Sequence, residues 1–305
     1  MNRFNQLLLA AALVVSGIST CFAQQATPAA AKPASTAASG AVAGVPTQAT
    51  LNEFLKKMFG WNSDLTWKVV EIKPAEAAGL SAATVVFNTP QGSQVIRFYI
   101  TADQKYAFTG DLIPFGADPF APARELLKNL SGPSRGPQDS TVTVVEFGDL
   151  ECPACKAAQA NITHLLSDEP KMRLVFQNFP LEQIHKWSLI AAKYLDCMQR
   201  EPDDAVWKFI ATVYDHQGEI NEQNADQMLK GYVKEAGGNP DTVAACVVKP
   251  ETEKRVRESL ALGEKLEVTS TPTLFINGRR MVGVATVPYD ALKEMVEYYG
   301  SGADK

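Results

Sequence analysis

Two cysteines separated by two residues give this 305-residue chain its clearest chemical signature. They lie in the run Asp149-Leu150-Glu151-Cys152-Pro153-Ala154-Cys155. Thiols three positions apart on a helix are about one turn from each other and can close a disulfide. With Pro153 in the first turn, Cys152 would occupy the helix N-terminus, where unpaired N–H groups and the helix dipole favour a thiolate. We therefore predict a redox-active disulfide in which Cys152 attacks a substrate and Cys155 resolves the mixed disulfide.

A Cys-x-x-Cys motif has two other interpretations, a metal site and an inert disulfide. A structural zinc site needs further ligands, and the sequence contains no second Cys-x-x-Cys. The histidines show no ligand spacing, and we expect them at the surface or on helices: His164, His185 and His216. We therefore expect neither a metal nor another cofactor.

A β-branched run at residues 141–147 precedes the motif and predicts a strand buried on both faces. Glu146 lies within this run, six residues before Cys152, where the burial of an acid is costly. The acid could exchange protons with Cys155, or it could mark an exposed strand end. Both interpretations stay open from the residues alone.

A second strand is predicted far downstream, in the run Thr271-Pro272-Thr273-Leu274-Phe275-Ile276. Asn277-Gly278 then predicts a two-residue hairpin turn into a strand at residues 280–282. A final helix is predicted at residues 289–298. Pro272 alone carries little information, because a proline that opens a strand is an ordinary feature.

Three segments, taken in order, resemble the thioredoxin superfamily and most closely its DsbA-like branch. They are residues 144–147 with the cysteine motif, residues 175–180 and residues 271–278. The resemblance as a whole covers residues 138–300. It implies an α/β thioredoxin fold with a cis Pro272 facing the Cys152 sulfur. It also implies that Thr271 offers backbone hydrogen bonds to an extended substrate and that Glu146 is a buried acid.

Residues 181–263 have helical apolar stripes and resemble the helical insertion of this branch. Cys197 and Cys246 lie in the insertion. Relatives often carry a second cysteine pair at comparable places, so the resemblance implies a structural, noncatalytic disulfide; the alternative is two buried free thiols. Ala154 stands where many strong oxidases have a histidine, and the missing cation should leave Cys152 less acidic and less oxidising.

A small α+β domain is predicted at residues 49–117, followed by a connecting helix and linker at residues 118–137. The apolar positions predicted for the connecting helix are Phe120, Leu126, Leu127 and Leu130. An apolar stripe from Leu51 to Met58 predicts a helix, and β-rich runs near residues 66–72, 83–87, 94–100 and 105–108 predict an antiparallel meander. The simplest role is structural or dimerising. Residues 99–112 resemble the end of the dimerisation domain of DsbC-like isomerases, which implies a homodimer around an open cleft.

Residues 1–23 have the pattern of an export signal: Arg3, an apolar run at residues 7–15, then Cys21-Phe22-Ala23. The apolar run is shorter than the roughly 20 residues that span a bilayer. A lipid anchor at Cys21 is the alternative. Thr20 departs from the pattern of lipid-bearing cysteines, which usually has Gly, Ala or Ser at that position. Residues 24–48, rich in Ala, Pro, Ser and Thr, are predicted to be a flexible linker. We therefore expect a periplasmic or otherwise exported protein, which suits an even number of remaining cysteines.

The composition is that of a globular protein, with 46% hydrophobic residues. The net charge of -5 comes without a basic block, so we expect no nucleic-acid partner. We predict a thiol-disulfide oxidoreductase that acts on thiols or disulfides of exported proteins and works with a membrane redox partner. Oxidase and isomerase activity stay undecided, because the direction of electron flow depends on that partner. The alternative is a thioredoxin-fold binding module or chaperone without redox turnover.

Overall fold

The computed structural model describes residues 45–90, 92–113, 115–116 and 118–302. The predicted export signal, Cys21 and most of the predicted linker lie outside these residues. Within the described ranges, none of the helices is both long enough and apolar enough to cross a membrane.

The first described elements are a helix and an antiparallel meander. Helix α1 (Gln48–Phe59) precedes β1 (Thr66–Pro74), β2 (Leu80–Thr89), β3 (Gly92–Thr101) and β4 (Ala107–Thr109), which pair in that order. Phe54 and Phe59 of α1 pack edge-on against Phe98 and Phe87. The predicted helix and four strands are therefore confirmed. The fourth strand starts two residues later than predicted, because the backbone before it turns at Gln104 with a φ of 55°.

The opposite face of this sheet also meets protein. Strand β2 is buried on both of its faces, since Val86 and Ala82 are as buried as Val85 and Phe87. Tyr99 on β3 donates a hydrogen bond to the Glu267 carboxylate, and Arg97 lies 3.7 Å from the same carboxylate. A cavity of about 290 Å³ lies beside these contacts, between the sheet and the chain around residues 179–183 and 268–269.

The connecting helix is shorter than predicted. Helix α2 covers Ala121–Leu126 only, after a turn in which Ala121 donates its N–H to the Asp118 carbonyl. Leu127 and Leu130, which we expected on the same helix, leave the helical path. They pack instead against the core around Val145 and Phe147. Ala123 of the helix packs against the same core, while Phe120 contacts Tyr299.

The second sheet has five strands in the order β5-β7-β6-β8-β9. The strands are β5 (Ser134–Arg135), β6 (Val142–Gly148), β7 (Met172–Asn178), β8 (Thr273–Ile276) and β9 (Arg279–Val282). Strands β6 and β7 are parallel, and the other neighbours are antiparallel. The predicted hairpin is confirmed: Asn277 and Gly278 have φ angles of 45° and 88°, as a tight two-residue turn between β8 and β9 requires.

In the part of the chain that the structure describes, seven α-helices surround this sheet or extend from it. They are α3 (Pro153–Asp168), α4 (Ser188–Met198), α5 (Asp203–Asp215), α6 (Ala225–Glu235), α7 (Pro240–Val247), α8 (Pro250–Lys265) and α9 (Tyr289–Gly300). Helix α3 crosses from β6 to the parallel strand β7, while α4 to α8 form the predicted helical insertion. The α/β architecture is therefore confirmed, and the final helix runs two residues beyond its predicted end.

Strand β6 is buried on both faces, as its β-branched sequence predicted. Val142 and Val144 pack with α3 and α9, and Val145 and Phe147 pack with α8 and the chain after β7. Gly263 of α8 lies so close to this second core that a Cβ atom would come within 2.5 Å of the Phe179 ring. The strand that leads to the cysteine motif is thus held rigidly from both sides.

Candidate redox site

Cys152 lies immediately before α3, at the helix N-terminus. Its backbone is extended, with φ −74° and ψ 119°, and Pro153 begins the helix. The turn from β6 is closed by the N–H of Cys152, which donates to the Asp149 carbonyl at 3.0 Å. Both cysteines are free thiols in this structure. Cys152 keeps 6% of its surface exposed while Cys155 has none, so a substrate can reach only the first sulfur.

The surroundings separate the acidities of the two thiols. A hydrogen bond from the Cys155 thiol is the largest influence on the Cys152 pKa; burial opposes it, and the Thr271 side chain reinforces it. The result is a Cys152 pKa of about 6, lowered from 9.0. Burial raises the pKa of Cys155 well above its ordinary value, and the negative charges of Cys152 and Glu146 add to that effect. At neutral pH the exposed sulfur is therefore a thiolate and the buried one a thiol.

Thr271 and Pro272 lie directly across from the first cysteine. The peptide bond between them is cis. The Cys152 sulfur lies 3.3 Å from the Thr271 carbonyl oxygen, to which the protonated thiol donates a hydrogen bond. The loop before β8 thus meets the N-terminus of α3, although 119 residues separate the two contacting groups.

Glu146 is buried within β6, with 1% of its surface exposed. The interpretation of this residue as an exposed strand end is therefore wrong. Gln159 of α3 donates a hydrogen bond from Nε2 to its Oε1 at 3.0 Å. Burial is the main cause that raises the Glu146 pKa to about 8; the Gln159 hydrogen bond opposes the rise, and the charge of Cys152 adds to it. Near neutral pH this carboxyl is thus poised to gain or lose a proton.

Two residues in the site were missed by the sequence analysis, Asp149 and His185. The Asp149 carboxylate is buried, and its Oδ2 lies 2.8 Å from the His185 Nδ1. We expected His185 at the surface or on a helix, and this expectation is wrong: it lies in the irregular segment between β7 and α4, with 14% of its side chain exposed. The residues are 36 positions apart in segments without periodicity, so no sequence signal pairs them.

The other two histidines lie on or next to helices, as expected. His164 on α3 stacks on Tyr289 with ring centroids 4.1 Å apart. His216, just after α5, has its Nδ1 2.9 Å from a Glu219 carboxylate oxygen and stacks on Tyr232.

The second cysteine pair lies in the helical insertion. Cys197 of α4 is bonded to Cys246 of α7, and their Cα atoms are 5.9 Å apart. Within the described residues, the two cysteines and Asp196 lie close enough together to hold a metal ion. Because both sulfurs belong to the disulfide, neither is a thiolate ligand.

A thioredoxin family model matches residues 128–298, which include every residue of the redox site. The chain belongs to the thioredoxin family. The predicted thioredoxin fold is therefore confirmed for this part of the chain. The match begins after residues 49–117, so their resemblance to a dimerisation domain stays a prediction.

Among curated proteins, the chain is 27% identical to disulfide bond formation protein D of Bacillus subtilis over 171 residues, 54% of this chain and 75% of that one. It is 29% identical to the probable disulfide bond formation protein D of Bacillus anthracis over the same length, 76% of that protein. An Na(+)/H(+) antiporter, NhaA 1 of Salinispora arenicola, is 32% identical over 149 residues. Those residues are 49% of this chain and 22% of the antiporter, so the resemblance covers a small part of that protein.

Solved structures show the same relationship. Oxidised BdbD from Bacillus subtilis superposes with a TM-score of 0.51 at 27% identity, over 56% of this chain and 94% of BdbD. The thiol-disulfide exchange protein alpha-DsbA2 from Wolbachia pipientis gives a TM-score of 0.52 at 25% identity, over 58% and 92% of the two chains. The predicted resemblance to DsbA-like thiol-disulfide oxidoreductases is thus confirmed.

Proposed function

We propose that this protein is an exported oxidoreductase that exchanges disulfides with other exported proteins through Cys152 and Cys155. The observation that carries the proposal is the contrast between the two thiols. Cys152 is partly accessible at a helix N-terminus and has a pKa of about 6, whereas Cys155 is fully buried and stays protonated. An inert disulfide does not depend on two thiols that differ in accessibility and acidity. An attacking thiol and a resolving thiol require that difference.

In the reducing direction, the Cys152 thiolate attacks one sulfur of a substrate disulfide. A mixed disulfide forms, and the other substrate sulfur leaves as a thiolate. The sulfur of Cys155 then attacks Cys152, which closes the internal disulfide and releases the second substrate thiolate. In the oxidising direction a substrate thiolate attacks the internal disulfide at Cys152, and Cys155 is the leaving group.

Glu146 is the proton carrier for Cys155 in this proposal. The thiolate of Cys152 is one of the charges that raise the pKa of Glu146. Formation of the mixed disulfide removes that charge, so Glu146 ionises more readily and can take the Cys155 proton when resolution requires it. In the opposite direction the protonated carboxyl returns the proton to the departing Cys155 sulfur.

Thr271 and Pro272 form the substrate-binding side of the proposed site. The Thr271 carbonyl oxygen lies 3.3 Å from the Cys152 sulfur, which donates a hydrogen bond to it only when it is protonated. Once Cys152 is bonded to a substrate sulfur, that carbonyl is available to a backbone N–H of an extended substrate segment. Thr269, two residues earlier, lines the cavity of about 290 Å³ beside the first sheet, which offers space for the neighbouring substrate residues.

A membrane redox partner would set the direction of electron flow, and residues 49–117 would form a homodimer. The support for the dimer is a set of exposed apolar side chains on β4 and on the chain just before and after it, of the kind that mark interaction surfaces. They are Tyr106, Phe108, Ile113 and Phe115. Export would follow from the signal pattern at residues 1–23, with lipid anchoring at Cys21 as the alternative.

Two variants test the exchange chemistry. Cys152→Ser should abolish turnover of a model disulfide substrate, and Cys155→Ser should accumulate mixed disulfides that nonreducing electrophoresis detects. Full turnover by Cys152→Ser would refute the proposal and favour a binding module or chaperone.

The direction of the reaction requires separate measurements. Wild type should be incubated with a reduced and with a scrambled multi-disulfide substrate, and its mass in solution should be determined. A monomer that is inactive on the scrambled substrate would exclude the dimeric isomerase and leave the oxidase.

A further inference from the structure

The Asp149 carboxylate is the centre of a hydrogen-bond cluster next to the redox pair. Its side chain has no exposed surface. Oδ2 accepts the Leu181 N–H at 2.8 Å and lies 2.8 Å from Nδ1 of His185, while Oδ1 accepts the Glu151 N–H at 2.8 Å. A buried carboxylate is costly unless such donors surround it, and these donors fix both the carboxylate and the imidazole. The His185 ring therefore has a set position beside the turn that carries Cys152.

The same residue connects His185 to both thiols through its main chain. The Asp149 carbonyl accepts the N–H of Cys152 at 3.0 Å, and its own N–H points at the Cys155 sulfur at 3.5 Å. Tyr214 of α5 lies on the other side, with its hydroxyl 3.5 Å from the Asp149 carbonyl. The imidazole and the two sulfurs are thus held by one short piece of chain.

A second clamp holds the segment on which His185 lies. The Glu151 carboxylate accepts the N–H of Lys186 at 3.0 Å and the N–H of Trp187 at 2.6 Å. Since Leu181 is bonded to Asp149, the segment is attached to the redox turn on both sides of His185. It cannot move away from Cys152 without breaking several hydrogen bonds.

The charges in this cluster favour a protonated His185. Burial lowers the pKa of His185, but the hydrogen bond and charge of Asp149 outweigh it. The negative charges of Cys152 and Glu151 add to the rise, so that the net pKa is raised. The interaction is reciprocal: a cation that is stabilised by the thiolate stabilises the thiolate equally. The Asp149 carboxylate acts in the opposite direction and raises the Cys152 pKa, so a protonated His185 offsets that charge.

We infer that His185, held by Asp149, is a positioning residue that stabilises the Cys152 thiolate and supplies the positive charge that Ala154 does not. The inference rests on the proposed exchange chemistry and adds a proton linkage to it. When Cys152 enters a disulfide its negative charge disappears, so His185 binds its proton less tightly. Reduction restores the thiolate and with it the proton affinity of His185.

The test is the pH dependence of alkylation of Cys152 by iodoacetamide in the reduced full chain, with the labelled residue identified by mass spectrometry. His185→Gln should slow the reaction about threefold to tenfold at about pH 6, because the Cys152 thiol must then ionise without the cation. At alkaline pH the rate should be unchanged. His185→Lys retains a positive charge and should restore most of the wild-type rate.

His216→Gln is the matched control, because the His216 ring also lies next to a carboxylate, 2.9 Å from Glu219. Cys152 is not among the charges that raise the pKa of His216. It should leave the profile unchanged. A His185→Gln profile that superposes on wild type, or one lowered by the same factor at every pH, would overturn the inference. If His185→Gln does not fold, His185→Lys becomes the test. A folded His185→Lys whose Cys152 alkylation no longer has a low pH midpoint would also overturn the inference.

The alkylation profile does not depend on turnover, so the two proposals can fail separately. A wild type that shows the His185-dependent profile but exchanges no disulfides would contradict the proposed function alone. A chain that turns over substrate through Cys152 with an unchanged His185→Gln profile would contradict this inference alone.

Discussion

Replacing Glu146 by glutamine should stabilise the reduced protein at alkaline pH and leave its stability in acid nearly unchanged. Burial and the charge of Cys152 raise the Glu146 pKa from 4.5 to about 8. Because a tenfold change in an ionisation equilibrium corresponds to about 1.4 kcal/mol, this displacement costs about 5 kcal/mol of the free energy of unfolding once the carboxyl is ionised. The folded state holds a proton that the unfolded chain releases. The associated stability is therefore complete below pH 4.5, declines as the pH rises and is lost above about pH 8.

Glutamine has the size of the protonated acid and can still accept the Gln159 hydrogen bond, but it does not ionise. Denaturant unfolding of wild type and Glu146→Gln, both kept reduced by dithiothreitol, should give similar free energies in acid and values that diverge by several kcal/mol at alkaline pH. Glu258→Gln, on the exposed surface of α8, is the control and should follow wild type throughout. Parallel pH profiles for wild type and Glu146→Gln would refute the reasoning, because the buried carboxyl would then ionise at no cost.

Two further changes test the packing around the site by the same unfolding measurement. Replacing Cys197 and Cys246 by alanine removes a link across a sequence separation of 49 and should lower the free energy of unfolding by about 4 kcal/mol. The redox pair should still be alkylated at its wild-type rate. A loss of that reactivity would contradict a purely structural role for this disulfide. Gly263→Ala should destabilise by about 1–3 kcal/mol because the new Cβ would lie 2.5 Å from the Phe179 ring. Gly231 lies at an exposed position of α6, and a Cβ atom there would meet nothing within 4 Å. Gly231→Ala should therefore stabilise by about 1 kcal/mol, and equal effects at both glycines would contradict the packing.

The parts of the fold that sequence predicted well are those whose cause is local. The β-branched run before the motif forms β6 and is buried on both faces. Pro153 begins α3, which leaves Cys152 at the N-terminus, and Asn277-Gly278 adopts the two positive φ angles that its hairpin needs. In each case the residue type restricts the backbone or the burial by itself, so the prediction needed no knowledge of distant partners.

The parts that sequence did not predict depend on tertiary contacts. Asp149 and His185 meet across 36 positions, and nothing in either segment indicates the pairing. Leu127 had a helical spacing, but α2 ends at Leu126, and Leu127 packs against the core around Phe147 just beyond that end. The burial of Glu146 required the position of β6 between α3 and α8, so its role stayed open until the neighbours were known.

The central claim is that Cys152 is the attacking thiol and Cys155 the protonated one. Titration of the ultraviolet absorbance of the reduced protein, combined with mass spectrometry of the first alkylated cysteine, tests this most directly. We predict a first thiolate that forms with a midpoint near pH 6 and carries the label on Cys152, while Cys155 remains protonated. A first midpoint at the ordinary value of 9.0, or a first label on Cys155, would contradict the claim.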